Sequence, residues 1–514
     1  MLTPLLLSLT LLFYFGMLHL ITRKSQTGNH AFFRAERRSP WWMVAFGMIG
    51  SSLSGVSFVS VPGWTATTGM TYLQMCMGFI FGYMAVAFVL LPLYYRMNLT
   101  SIYAYLGDRF GPLGRLTGSV TFFIGKFIGA SARLYVACLV LHSLLPPSWN
   151  LPFGIVCAAV LLAVWGYTHR GGMAAVVRTD VWQTVCLLIS LVMLLGIAAW
   201  KFPDVCYEVV CQFGTSDKTR IFDFSLSSPT AFWRQFLSGI FMVVVMTGLD
   251  QDMMQKNLTC RTLRDAQKNM CVNGLCYLPV NFLLLSLGVI FYEIAAASSI
   301  SAEGDQLLPA VVASGILGAT VVIPFVIGLV AATLSSIDSA LTALTTSCCI
   351  DLLGTERQSE HQAQSIRKRV HAVITAAFFI GILVFHASCI NGSLINTIYR
   401  LVSYTYGPLL GLFAFGLFTP LKTRSAAIPA IAFTSPVLCG LLDFLAPRWG
   451  YTFGYELLLL NGLFVFIGLW MLRRNEKKTS KKEQETITKQ KNRATQGSIS
   501  KKLFTFTQTF VKQP

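Results

Sequence analysis

The sequence of 514 residues is poor in charge: 12% of its residues are Asp, Glu, Lys or Arg, and 54% are hydrophobic. It contains no GxxxxGK[ST] phosphate-binding loop, which argues against ATP hydrolysis as an energy source. The seven histidines show no HExxH or paired-ligand spacing, and the 13 cysteines form no CxxC pair, so no zinc site is indicated. No nucleophile with a general base is evident either. These absences argue against an enzyme and against a bound cofactor.

Long apolar runs dominate the sequence instead. The mean hydropathy is +0.61, and runs of about 20 apolar residues, each long enough to cross a bilayer as a helix, recur through the chain. We count about 13 spans and predict an all-α polytopic membrane protein. The first run, residues 2–21, follows Met1 without a basic segment or cleavage site, which is typical of a retained span and not of a signal peptide.

Basic residues occupy every second loop, as in cytoplasmic loops of membrane proteins. This alternation predicts a cell-membrane protein with its N-terminus outside and its C-terminus in the cytoplasm. The basic tail, residues 473–514, is predicted to be a disordered cytoplasmic segment that can contact anionic lipid. The formal net charge of +18 therefore does not indicate nucleic acid as a partner. The loops assigned to the cytoplasm carry Arg23, Lys24, Arg34, Arg37, Arg38, Arg96, Arg109, Arg115, Arg170, Arg178, Lys256, Arg261, Arg264, Lys268, Arg357, Arg367, Lys368, Arg369, Lys422 and Arg424.

Two predicted spans are interrupted by glycine and polar residues. Residues 49–57 (IGSSLSGVS) break the second span, and residues 247–251 (TGLDQ) break the seventh. Unwound segments at corresponding places in two halves free backbone carbonyls near the midplane, which is typical of transporters built on inverted repeats. Close packing of helices at the glycines is the alternative explanation.

A third span carries hydroxyl groups and one acid in residues 331–346 (AATLSSIDSALTALTT). Ser335 and Ser336 are adjacent, and Asp338 and Ser339 follow within one turn. Such oxygens are costly in lipid and can replace the water around a cation, so the cluster predicts an ion site. Alternatively, the hydroxyls only bond to their own helix.

Several segments in sequence order resemble the sodium/solute symporter family, which includes sodium/glucose, sodium/proline, sodium/sialic acid and sodium/iodide cotransporters. The resemblance implies a leucine-transporter-like five-plus-five inverted repeat and sodium-driven alternating access. With it, we divide the chain into a leading helix and loop (1–40), a ten-helix transport core (41–422), two trailing helices (423–472) and the tail (473–514). The matching segments are residues 41–42, 50–58, 100–111, 171–183, 255–267, 334–351 and 403–411.

The resemblance also implies sodium ligands. The shared sodium site of the family falls on carbonyls of Gly50 and Leu53 and on Ala332, Ser335 and Ser336. A second site found in some members falls on Asp180, with Asp338 and Ser339 as candidate partners. Relatives often have a small polar residue at the position of Asp338. The acid either strengthens a cation site or brings a proton into the cycle.

By the same resemblance, the solute pocket lies between the broken helices. The predicted pocket residues are Ser52, Val56, Ser57, Arg133, Asp250 and Arg400. Val56 and Ser57 replace the polar groups of sugar-transporting relatives, which disfavours a hexose. Arg133 resembles the arginine that holds a carboxylate in sialic acid carriers, and a guanidinium suits a carboxylate bidentately. It could instead pair with a buried acid, and Arg400 could extend toward water.

The sequence therefore predicts a sodium-coupled symporter for a small polar solute, with a carboxylate or other anion as one candidate. A membrane sensor built on a transporter-like domain is the alternative, although the tail after Arg473 is too short and polar for a folded output domain. Cys206 and Cys211 share a predicted external loop, and their spacing permits a disulfide in an oxidising compartment.

Overall fold

The computed structural model describes residues 2–23, 28–145, 149–225, 228–388, 394–451 and 453–473. The predicted disordered tail lies outside the described residues from position 474 onward. In the described ranges the chain folds into long helices joined by short helical turns. The principal helices are α1 (Leu2–Arg23), α2 (Trp41–Ser52), α3 (Gly55–Gly63), α4 (Tyr72–Arg96), α5 (Pro112–Leu144), α6 (Phe153–Gly171), α7 (Met173–Lys201), α8 (Phe232–Gly248), α9 (Gln251–Asn257), α10 (Leu263–Ala297), α11 (Ala319–Leu352), α12 (Glu360–Ala387), α13 (Leu394–Phe418), α14 (Ile428–Leu445) and α15 (Leu457–Met471).

Nine helices of the described residues are long and apolar enough to cross a membrane, and eleven spans result if each bent pair counts as one. Two shorter apolar helices, Leu9–Arg23 and Leu457–Met471, lie near the ends of the described chain. The all-helical fold class agrees with the prediction. The count of 13 spans and the five-plus-five repeat stay predictions.

Both predicted helix breaks are present. The axis bends by 56° between α2 and the helical segment that begins at Gly55, and by 71° between α8 and α9. At the first break Leu53 is extended, and the Ser54 hydroxyl accepts a hydrogen bond from the Ser57 N–H at the start of α3. At the second break a π-helical turn, Val244–Gly248, ends α8, and the Asp250 carboxylate caps α9 by accepting from the Asp252 N–H at 2.8 Å.

Close packing of α2 against α7 and α11 places the first break in the protein interior. A Cβ atom on Gly47 would lie 2.8 Å from the Cβ of Asp180, and one on Gly50 would overlap the hydroxyl of Thr184. Only glycine lets the two backbones approach this closely. Glycine packing and the helix break therefore occur together in α2.

Candidate functional site

The predicted ion-site residues of α11 meet the end of α2. The Ser336 hydroxyl lies 3.2 Å from the carbonyl of Ala332 and 3.5 Å from that of Ser51. The Ser335 hydroxyl lies 2.9 Å from the hydroxyl of Ser51. Both α11 serines are buried. Hydroxyls of α11 and the unwound end of α2 thus face each other, as a site built from these two elements requires.

Gly50 and Leu53 flank Ser51 at this junction, and both are buried. Gly50 is held against Thr184 of α7, and Leu53 is the first residue beyond α2. Hydroxyl and carbonyl oxygens of this kind suit a hard monovalent cation.

Asp180 and Asp338 also lie in the interior, at 1% and 0% exposure. The Ser335 hydroxyl donates to Asp180 Oδ1 at 2.6 Å, which links the two predicted ion sites. Asp338 Oδ2 accepts from the Tyr167 hydroxyl at 3.0 Å and from the Thr179 hydroxyl at 3.3 Å. Ser339 lies 3.4 Å from Asp338 Oδ1. Asp338 is therefore held by hydroxyl groups of α6, α7 and α11.

Lys256 is the main residue that the sequence interpretation misplaced. The charge pattern put it in a cytoplasmic loop, whereas it lies in the last turn of the buried helix α9 with 1% of its surface exposed. Its Nζ lies 2.8 Å from Asp180 Oδ2 and contacts the hydroxyl of Ser51. The assignment was wrong because a short helix after the break carries the chain back into the protein. The signal available in the sequence was that only four residues separate the predicted break from Lys256.

A cavity of about 90 Å³ lies between the two broken helices. Five predicted pocket residues line it, namely Ser52, Val56, Ser57, Arg133 and Asp250. The other lining residues are Ser51, Ser54, Phe79, Tyr83, Lys126, Met242, Val243, Met246, Thr247, Met253 and Tyr277. The cavity adjoins the ion-site junction through Ser51, which belongs to both.

Lys126 of α5 joins two acids at the cavity wall. Its ammonium lies 3.0 Å from Asp250 Oδ2 and 2.6 Å from Asp252 Oδ2, and all three side chains are at most 6% exposed. The Tyr406 hydroxyl donates to Asp250 Oδ2 at 2.8 Å. The sequence interpretation missed Lys126, although a lysine inside an apolar run was a signal for a buried partner. Asp250 faces the cavity as an acid already paired with a protein cation.

Arg133 lies two turns beyond Lys126 on α5 and is half-buried at the cavity. Among the described residues no carboxylate forms an ion pair with its guanidinium. In the described part of the structure Arg133 is therefore not paired with a buried acid, which was the alternative explanation. The cavity wall therefore contains the Arg133 guanidinium and one acid, Asp250, which contacts Lys126.

Arg400 is absent from this cavity, contrary to the prediction. It lines a second cavity of about 390 Å³ and pairs with Asp443 of α14 at 2.7 Å. Its side chain is 60% exposed. The Tyr404 hydroxyl, one turn along α13, donates to the same carboxylate. Asp443 thus draws the guanidinium toward α14 and away from the broken helices.

Cys206 and Cys211 lie on one short helix, Pro203–Cys211, and both are free thiols in the structure. The possible disulfide is therefore not formed here.

A sequence profile of the sodium:solute symporter family matches residues 32–432. The chain is 27% identical over 411 residues to the sodium-dependent multivitamin transporter of Oryctolagus cuniculus, covering 77% of this chain and 62% of that protein. It is 25% identical over 427 residues to the sodium/iodide cotransporter of Homo sapiens, covering 78% of this chain and 63% of that protein. The chain thus spans about three-fifths of the length of these two relatives.

A solved structure of a Na⁺-coupled sialic acid symporter, in a substrate-bound outward-open state, superposes with a TM-score of 0.78. The match covers 90% of this chain and 96% of that chain at 18% sequence identity. At this identity the likeness concerns the fold alone.

Proposed function

The chain belongs to the sodium:solute symporter family, and from this premise we propose that it is a sodium-coupled secondary transporter that imports a small anionic solute. In this proposal residues 41–422 form the transport core and work by alternating access. The observation that most supports this proposal is the junction of α2 and α11, where two buried hydroxyls face an unwound helix end beside a cavity.

Sodium binds at this junction in the proposal. The hydroxyls of Ser335 and Ser336 and the carbonyls of Gly50, Leu53 and Ala332 supply five oxygens to the ion. The ion would join α2 to α11 and so favour one arrangement of the broken helix over another. Coupling follows because Ser51, at the same junction, also lines the solute cavity.

The charge of the cavity wall supports an anionic solute. The carboxylates of Asp250 and Asp252 contact the Lys126 ammonium, whereas no described carboxylate pairs with Arg133. A guanidinium forms two parallel hydrogen bonds to a carboxylate and attracts other anions as well. The name of one similar protein, a sodium/iodide cotransporter, also refers to an anionic solute.

The proposed location is a cell membrane that the chain crosses several times. The alternating basic loops favour an external N-terminus and a cytoplasmic C-terminus. Even without Lys256, Arg261 lies in the loop between α9 and α10, and Arg264 and Lys268 lie in the first two turns of α10. The correction for Lys256 therefore leaves the orientation argument intact.

Uptake into proteoliposomes tests the function. We expect an inward sodium gradient to drive accumulation of at least one anion from a panel of monocarboxylates, inorganic anions, amino acids and sugars. A potassium gradient of equal size should not drive it. Accumulation that needs no sodium gradient, or that is driven equally by potassium, would reject sodium coupling. Accumulation of neutral sugars alone would reject the anion assignment.

A further inference from the structure

The ammonium group of Lys256 closes a ring of polar groups in the protein interior. Nζ contacts Asp180 Oδ2 at 2.8 Å and the hydroxyl of Ser51. The Ser335 hydroxyl completes the ring, at 2.6 Å from Asp180 Oδ1 and 2.9 Å from Ser51 Oγ. The four side chains come from α9, α7, α2 and α11, and none is more than 5% exposed.

One member of this ring, the Asp180 carboxylate, also belongs to the expected second sodium site. The expected second site consists of Asp180 with Asp338 and Ser339, and the Ser335 hydroxyl donates to Asp180 Oδ1 at 2.6 Å. A sodium ion bound to Asp180 would lie next to the ammonium, and two positive charges repel strongly in the water-poor interior. The Asp180 carboxylate therefore does not fit a sodium ion and the ammonium at the same time, because Nζ already contacts its Oδ2 at 2.8 Å.

We propose that the Lys256 ammonium takes the place of the second sodium ion, so that the chain binds one sodium ion, at the α2–α11 junction. This inference rests on the proposed function, because a built-in cation replaces sodium only in a chain that binds sodium. Lysine serves here as a compact point charge on a flexible stem, which lets Nζ reach the carboxylate from α9.

The position of Lys256 also links the ion site to the solute cavity. Lys256 lies in the last turn of α9, and the acid that caps the first turn, Asp250, lines the cavity and binds Lys126. The seven-residue helix α9 therefore holds the built-in cation at one end and a cavity acid at the other. A shift of α9 moves both groups together.

Counting bound sodium tests the inference without requiring transport. Binding of ²²Na⁺ to the purified full chain gives the number of ions per chain. We expect one ion for the wild type and two for Lys256→Met, because the methionine fills the space without a charge. The double variant Asp180→Asn/Lys256→Met should return to one, since it removes the carboxylate as well. Lys268→Met, at an exposed lysine of α10, is the matched control and should bind one.

The outcomes separate the two proposals. Two ions in the wild type would overturn the inference that Lys256 replaces the second sodium ion, but not the proposed function. One ion in a folded Lys256→Met variant would have the same consequence. No sodium binding in the wild type would overturn the proposed function and the inference with it. If Lys256→Met does not fold, Asp180→Asn decides instead: an unchanged count of one supports the inference, and a fall from the wild-type count overturns it.

Discussion

Removal of the Lys126 ammonium should destabilise the protein more than removal of either acid that it binds. The Lys126 ammonium contacts the carboxylates of Asp250 and Asp252 at 3.0 and 2.6 Å. The side chains of Lys126, Asp250 and Asp252 are 6%, 4% and 3% exposed. Lys126→Met keeps the length of the side chain but leaves two buried carboxylates without a contacting cation. Asp250→Asn leaves one acid with one ammonium, and its amide oxygen can still accept from the Tyr406 hydroxyl.

The expected magnitudes follow from this difference in charge. Removing one partner of a buried ion pair costs about 3 to 5 kcal/mol because the other charge stays buried and unpaired. We therefore expect Lys126→Met to lower the free energy of unfolding by about 4 kcal/mol. Asp250→Asn weakens hydrogen bonds without isolating a charge, and we expect a loss of about 1 kcal/mol.

Equilibrium unfolding in mixed micelles titrated with sodium dodecyl sulfate measures both losses. Lys268→Met, at an exposed lysine, controls for the general effect of removing a positive charge. A Lys126→Met variant as stable as Asp250→Asn would refute the reasoning, since it would mean that the two carboxylates do not depend on the ammonium.

Three further substitutions test other contacts. Arg133→Lys should raise the KM for the solute about tenfold with sodium activation unchanged, because the charge survives and the planar fork does not; an unchanged KM in uptake assays would argue against a bound anion at this residue. Arg400→Met should change the KM by less than about twofold and lower the free energy of unfolding by less than about 1 kcal/mol, because the arginine side chain of the pair with Asp443 is 60% exposed. A KM change like that of Arg133→Lys would instead indicate that Arg400 contacts the solute. Gly55→Ala should lower stability by about 1 to 3 kcal/mol, because its Cβ would overlap the hydroxyl of Thr333, and an equal loss in a Thr333→Ala background would contradict that cause.

The sequence was most informative about local features of the backbone. Glycine and polar residues at 49–57 and 247–251 marked both helix breaks, which the structure has at residues 53–54 and 249–250. Hydroxyls in the apolar run 331–346 likewise predicted a buried polar face on α11. These signals are visible because they depend on residues within a few positions of each other.

Charge partners were less accessible from the sequence, because they are distant along the chain. Lys126 lies 124 positions from Asp250, and Lys256 meets an acid of α7, so neither pair leaves a local pattern. The charge rule even counted Lys256 among loop residues. For Arg400, the resemblance indicated the solute pocket, but its partner Asp443 belongs to a trailing helix outside the predicted transport core.

Sodium activation of uptake in a variant without the α11 hydroxyls is the most direct test of the central claim. Ser335→Ala/Ser336→Ala removes two of the five proposed sodium ligands, so the sodium concentration for half-maximal uptake should rise by about tenfold or more, equivalent to about 1.4 kcal/mol per tenfold. Ser286→Ala removes a hydroxyl that bonds to the Phe282 carbonyl of its own helix α10 and should leave sodium activation unchanged. Unchanged sodium activation in the double variant, at wild-type amounts of folded protein, would contradict a sodium site at the junction of α2 and α11.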